Sequence, residues 1–240
     1  MIDTIIMFNS KIEIDITKCE DHEVTSINTS KYDILHTNCI CNHFNQEHDL
    51  HGNRFTLKND YFRLVVKPRQ VFLEPYIHKL LGQNHNLLIV KKNHLIEALR
   101  RLEKALVNQG VCFDVYGSQL SRLDLRKNIY LDYPYEEYEP LLKALHAKKM
   151  KKFKHLNSYY FDNSLCQINI YDKSLQLAQV KYNFTSTNIM RIEYRMKKKQ
   201  KTVRELKYQT VQSMIDNMDN LETFYKEKVG DLLFHYKQSA

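Results

Sequence analysis

Glycine and proline are scarce in this sequence, with five glycines and four prolines among 240 residues. Few breaks are therefore expected, and the sequence predicts mostly long helices and strands. No apolar run reaches the roughly 20 residues of a membrane-spanning helix, so we expect no membrane protein. Residues 1–7 hold a short apolar run with an acid and no basic cluster before it, so no secretory signal is predicted.

The five cysteines are an odd number. Without a signal peptide, they predict reduced thiols and a cytoplasmic protein. Cysteine and histidine cluster between Cys39 and His51, with Cys41, His43 and His48 between them. Their spacing matches no structural zinc pattern, so a polar loop is the favoured interpretation and a zinc site the alternative.

Lysine and arginine total 36 against 28 aspartates and glutamates, which gives a formal net charge of +8. This surplus favours a polyanionic partner, with nucleic acid first and a membrane surface second, although a merely basic soluble protein is the plain alternative. The length fits one domain with an appendage. We predict a main domain over residues 1–200 and a C-terminal helical region over residues 201–240.

Hydrophobic periodicity predicts an α+β fold with a central, mainly antiparallel sheet and helices on one face. The predicted strands are residues 2–8, 11–16, 62–66, 71–73, 111–115, 120–128, 165–173 and 190–197. Helices are predicted from a cap at Asn93 to Gly110, over residues 136–151, from a capping box at Thr202, and from Asn220 onward.

Three of the predicted strands place charged and polar residues on one side, because side chains two apart share a face of a strand. These residues are Arg122, Asp124 and Arg126 on the first strand, Gln167, Asn169, Tyr171 and Lys173 on the second, and Arg191, Glu193, Arg195 and Lys197 on the third. If the strands pair in one sheet, one face is apolar and the other carries two carboxylates among many cations. An ordinary solvated sheet face is the alternative.

Such a face has the groups that phosphodiester chemistry requires. Cleavage needs a cation near the developing negative charge, and magnesium takes one or two protein carboxylates. Asp124 and Glu193 are therefore the predicted ligands of Mg²⁺ or Mn²⁺, with a structural ion-pair network as the alternative. Arg122 and Arg191 would clamp phosphate or orient the acids, and Arg126 and Arg195 belong to the same predicted DNA-binding face.

The order R-x-D at 122–124, Y-D-K at 171–173 and R-x-E at 191–193 resembles rolling-circle replication initiators of the filamentous-phage gene II/X type. Residues 1–4 and 78–84 also resemble upstream segments of that family. The resemblance implies a metal-dependent endonuclease that nicks and rejoins DNA at a replication origin through a 5′-phosphotyrosyl link. It further implies a phage- or plasmid-encoded protein in a bacterial cytoplasm, with single-stranded or supercoiled origin DNA and the host helicase or polymerase as partners.

In related plasmid initiators an aromatic residue precedes the Y-D-K strand on its hairpin neighbour, which points here to Tyr160, then Tyr159, with a turn at residues 162–164. Alternation puts only one of the two on the catalytic face, and Tyr171 is the third candidate. Lys173 would contact phosphate or assist proton transfer from the tyrosine. The chain has no His-hydrophobic-His motif, so a histidine-held metal is not expected.

A basic run over residues 146–155 precedes the candidate tyrosines. We interpret Lys151, Lys152 and Lys154 as DNA-backbone contacts, together with Lys197, and a solvated helix end is the alternative. The alternative function is a non-catalytic DNA-binding regulator of phage or plasmid replication on the same fold.

Overall fold

The computed structural model describes residues 1–9, 13–14, 55–67, 70–83, 87, 89–179 and 188–238. The Cys39–His51 cluster lies outside these residues, so its zinc interpretation stays a prediction.

The strands are β1 (Ile2–Asn9), β2 (Glu13–Ile14), β3 (Phe55–Lys58), β4 (Phe62–Lys67), β5 (Gln70–Pro75), β6 (Val111–Cys112), β7 (Gln119–Leu131), β8 (Lys151–His155), β9 (Ser158–Asp162), β10 (Cys166–Asp172) and β11 (Asn188–Met196). The helices are α1 (Ile77–Leu80), α2 (Lys92–Asn108), α3 (Glu139–Ala144), α4 (Lys173–Gln179), α5 (Lys199–Leu206), α6 (Val211–Asp216) and α7 (Asn220–Gln238), and a 3₁₀ helix spans Tyr135–Tyr138.

Within the described residues, nine strands form one sheet in the order β3-β4-β5-β1-β7-β11-β10-β9-β8. Every neighbouring pair in it is antiparallel. A second sheet holds only β2 and β6. The predicted α+β class with an antiparallel central sheet is confirmed. No helix in the described part of the chain is long and apolar enough to cross a membrane.

One face of the large sheet is apolar and is covered by C-terminal helices. The ring of Phe224 in α7 meets the Tyr194 ring edge-on at a centroid distance of 5.8 Å. The Tyr225 hydroxyl donates a hydrogen bond to the backbone oxygen of Ile192 at 2.9 Å. Helix α5 packs on β7 and β11 and runs across the predicted boundary at residue 200. The helices beyond that boundary therefore help to build the core of the main sheet.

Helix α2 follows its predicted stripe, with Leu95, Leu99, Leu102 and Leu106 all buried. Gly110 has φ 67°, as expected of a residue that ends a helix in the left-handed region. The predicted cap was wrong, because Lys91 rather than Asn93 occupies the N-cap position. The helix predicted from Thr202 begins earlier, at Lys199, and Thr202 is a buried residue inside it.

The long helix predicted over residues 136–151 is the largest error. The chain forms only the short 3₁₀ helix and α3, and becomes extended at Leu145 with ψ 141°. Lys149 has φ 61°, which ends any helical path before β8 begins at Lys151. Pairing with β9 makes this lysine-rich segment a strand although its residues have little β propensity.

Candidate functional site

The register of five neighbouring strands builds a polar face from three cross-strand rows. Directly opposed residues in antiparallel strands share a face, so each row can be followed from β7 through β11, β10 and β9 to β8. The first row is Asp124, Arg195, Gln167, Asp162 and Lys151; the second is Arg126, Glu193, Asn169, Tyr160 and Phe153; the third is Asn128, Arg191, Tyr171, Ser158 and His155. As the alternation predicted, Asp124 and Glu193 lie on one face.

Asp124 is fully buried between two guanidinium groups. Its Oδ1 accepts a hydrogen bond from Arg122 Nε at 2.9 Å, and its Oδ2 accepts from Arg122 Nη2 at 2.5 Å. Arg195 Nε also donates to Oδ2, at 3.0 Å. Charge-assisted bonds of this kind fix the orientation of the carboxylate.

Glu193 is bonded to a phenol rather than to a close guanidinium. The Tyr171 hydroxyl donates to Glu193 Oε1 at 2.6 Å, whereas the nearest Arg195 and Arg191 nitrogens lie 3.8 and 4.0 Å from the Glu193 carboxylate. Burial and the charge of Asp3 raise the pKa of Glu193. Burial and the charge of Glu193 raise the pKa of Tyr171, which opposes formation of a phenolate at that residue.

A third carboxylate, Asp3, joins the site and was not predicted as a site residue. The register of β1 against β7 shifts between Ile2 and Thr4. Asp3 Oδ1 lies 2.5 Å from Arg126 Nη1 and 3.8 Å from Arg191 Nη1. An acid inside an otherwise apolar strand was the available signal, because a buried carboxylate needs a cationic partner.

Lys173 begins α4 and is only 3% exposed. Its Nζ donates to Gln176 Oε1 at 2.5 Å. Burial, and after it the charges of Arg191 and Arg126, lower the pKa of Lys173 to about 7. This amine is therefore partly neutral near neutral pH.

Lys173 should make stability depend on pH. Because its pKa is about 7 when folded and 10.5 in its ordinary state, the unfolded chain binds more protons between those values. The free energy of unfolding should then rise with pH in this window, by up to about 1.4 kcal/mol per pH unit relative to Lys173→Met. Urea denaturation of both proteins from pH 6 to pH 10 measures the difference, and parallel curves would contradict the shifted pKa.

The three candidate tyrosines have different surroundings. Tyr159 points to the apolar face, where it is 2% exposed and its hydroxyl donates to Glu139 at 3.1 Å. Tyr171 is engaged with Glu193. Tyr160 lies half-buried on the polar face, with its ring stacked on Phe153 at 4.9 Å between centroids and 9° between planes. The hydroxyl of Tyr160 makes no hydrogen bond within the described part of the chain.

The predicted DNA-contacting lysines are divided between the two faces. Lys152 Nζ donates to the backbone oxygens of residues 142, 143 and 145, which closes the C-terminal end of α3. Lys154 pairs with Glu139 on the same side. Lys151 is exposed in the first row, and Lys197 Nζ lies 2.7 Å from Asp162 Oδ1. Only Lys151 and Lys197 therefore belong to the polar face.

The cations of the polar face differ in their exposure to solvent. The side chains of Arg126 and Arg191 are 4% and 0% exposed, so these arginines hold carboxylates in the interior. The side chains of Arg122, Arg195 and Lys197 are 28%, 26% and 29% exposed. A bound molecule would thus meet the first row and the adjoining side of Tyr160.

The predicted metal ligands do not fit a divalent cation as they are arranged. Both oxygens of Asp124 are occupied by arginines, and Glu193 Oε1 accepts from Tyr171. Among the residues that the structure describes, no group of three histidine, cysteine, aspartate or glutamate side chains could hold a metal ion.

No known protein family and no curated protein sequence matches this chain significantly. One solved structure that resembles it is a rolling circle replication initiator protein from Geobacillus stearothermophilus, with 12% sequence identity. The alignment covers 86% of this chain and 77% of that protein, with a TM-score of 0.39. At this identity and TM-score, the likeness carries neither fold nor function over to this chain.

Proposed function

We propose that this chain is a rolling-circle replication initiator of the gene II/X type, a DNA endonuclease that nicks and rejoins one strand at a replication origin. The observation that carries the proposal is the position of Tyr160. This phenol lies on the same sheet face as Asp124 and Glu193, beside the end of that face where partly exposed cations meet solvent.

The proposed reaction is a transfer rather than a hydrolysis. The Tyr160 oxygen attacks a backbone phosphorus and loses its proton as the new bond forms, and the bond to the 3′ oxygen breaks. The 3′ oxygen gains a proton and leaves as a free hydroxyl, while the phosphate stays on the tyrosine as a 5′ ester. Covalent capture keeps the phosphodiester energy, so attack by a 3′ hydroxyl can later reverse the step.

The charges on the polar face support a phosphate as the ligand. Around the carboxylates Asp3, Asp124 and Glu193 lie four arginines, Arg122, Arg126, Arg191 and Arg195, and the amine of Lys173, which is partly charged near neutral pH. At the other end of the first row, Lys151 and Lys197 accompany Asp162. A positive surplus in a mostly buried site is unfavourable unless an anion neutralises it. The exposed parts of Arg122 and Arg195 can bind such an anion, because Asp124 holds both guanidinium groups in a fixed orientation.

A nicking assay tests this function. The purified chain is incubated with supercoiled DNA of the replicon that encodes it, with Mg²⁺, with Mn²⁺ or with a chelator. We expect relaxed circles in which the protein remains on a 5′ end after denaturation. Dependence on the metal is a prediction from residue types, and the chelator decides it. Cutting without a covalent protein link would exclude the tyrosine mechanism.

A non-catalytic DNA-binding regulator is the second candidate. It is favoured by the saturation of Asp124, whose two oxygens both accept from arginines as in a structural ion-pair network. Retardation of the same DNA in a gel without any nick, under every metal condition, would support this candidate instead.

A further inference from the structure

We propose that Phe153 is a stacking platform for an unpaired base of single-stranded DNA. The inference rests on the proposed function in one respect, because the strand that stacks on Phe153 is the strand that Tyr160 is proposed to attack. It adds a DNA-contacting residue that the sequence motifs do not include.

Phe153 lies at the edge of the sheet, where DNA can reach its ring. It lies in β8, which is an edge strand, and it is 46% exposed. One face of its ring is covered by the nearly parallel ring of Tyr160 at 4.9 Å. A base that stacked on the other face would continue an aromatic column that ends at the proposed nucleophile.

A groove of about 600 Å³ lies beside this ring. Its walls include Lys149, Lys151 and Lys197, with Asp162 as the single carboxylate among the lining side chains. The lysines can follow a phosphate backbone while the ring takes a base, which is the usual combination in proteins that bind single strands. Lys152 and Lys154 point to the other side of β8 and contribute nothing to this groove.

The geometry favours an unpaired strand over a duplex. A base inside a duplex is already stacked on both sides, so it must be unstacked before a protein ring can cover it. In a single strand the base faces are open, and stacking tolerates any base because every base has a π-face. Phe153 thus fits the strand that negative supercoiling would open at an origin.

The sequence offers a direct optical test because it contains no tryptophan. Phe153→Trp in a Tyr160→Phe background gives a protein with one tryptophan that cannot form the proposed covalent link. Titration with oligothymidine should quench its fluorescence, and a duplex of equal length should quench it much less. Tyr133→Trp in the same background is the matched control, because Tyr133 is 65% exposed outside the sheet and should not respond.

Affinity measurements provide a second test of stacking on Phe153. Phe153→Ala should weaken binding of single-stranded DNA by about 5- to 150-fold, and Phe153→Tyr should restore it. Unquenched fluorescence at saturating DNA, or equal affinity in Phe153→Ala and the parent, would overturn the platform. If no condition yields nicking but quenching occurs, the platform stands and the nuclease proposal fails. If nicking occurs without quenching, the nuclease proposal stands and the platform fails.

Discussion

Tyr160→Phe is expected to reduce covalent capture of DNA by about a thousand-fold or more, because it removes the oxygen that we propose as the nucleophile and leaves the ring in place. The phenyl ring keeps its stacking on Phe153, so fold and DNA affinity should stay close to those of the parent. Capture is measured as protein that stays attached to a labelled 5′ end in denaturing gels. Thermal unfolding of the same sample verifies that the variant is folded.

Two other phenols serve as matched controls. Tyr159→Phe removes a hydroxyl that bonds to Glu139 on the opposite face and should leave capture nearly unchanged. Tyr171→Phe removes the bond to Glu193 and should lower the rate without abolishing the link. Unchanged capture in both Tyr160→Phe and Tyr159→Phe would remove these residues from the mechanism, and complete loss in Tyr171→Phe alone would move the nucleophile there.

Arg191→Met should lower the free energy of unfolding by about 3–5 kcal/mol, as expected when one partner of a buried ion pair is removed. Arg191 is fully buried, and its loss leaves Asp3 and Glu193 with fewer cations to neutralise them. For a chain of this size the melting temperature should fall by about 6–20 °C. Urea denaturation at pH 7 measures the change.

Arg100→Met is the comparison for that measurement. Arg100 also pairs with a carboxylate, Glu97, but its side chain is 68% exposed. An exposed pair contributes little to stability because water and salt screen its charges, so this variant should unfold almost like the parent. Adding Glu193→Gln to Arg191→Met should recover part of the lost stability, since one buried charge disappears. Equal losses in the two single variants would show that burial of Arg191 has no special role.

The polar face could be predicted because strand alternation needs no tertiary information. Once residues 120–128, 165–173 and 190–197 were identified as strands, period two assigned Asp124 and Glu193 to one side. The same rule separated Tyr160 from Tyr159, and the structure places Tyr160 on the polar face. Helix α2 was predictable for a similar reason, because its buried leucines recur at helical spacing.

Residues whose position depends on distant parts of the chain could not be predicted. Lys152 and Lys154 belong to a basic run at the end of a predicted helix. Only the pairing of β8 with β9, which is a contact between separate segments, places their side chains on the face opposite to the polar face. The sequence does show Asp3 as an acid within an apolar strand, but no local pattern encodes the irregular register of β1 against β7 that brings it to this site. The burial of the arginines could not be predicted, because alternation shows on which face of the sheet a side chain lies but not what fraction of it is exposed.

The sheet order also bears on how the protein is made. Strand β11 follows the other strands along the described chain, yet it lies between β7 and β10 in the sheet. A chain still on the ribosome, synthesised only to residue 187, would hold Asp124 in one half-sheet and Tyr160 in the other, with nothing to join them. Both halves would present an unpaired edge to solvent, which invites aggregation. The site that we propose for strand cleavage would therefore form only after residues 188–196 had inserted between the two half-sheets.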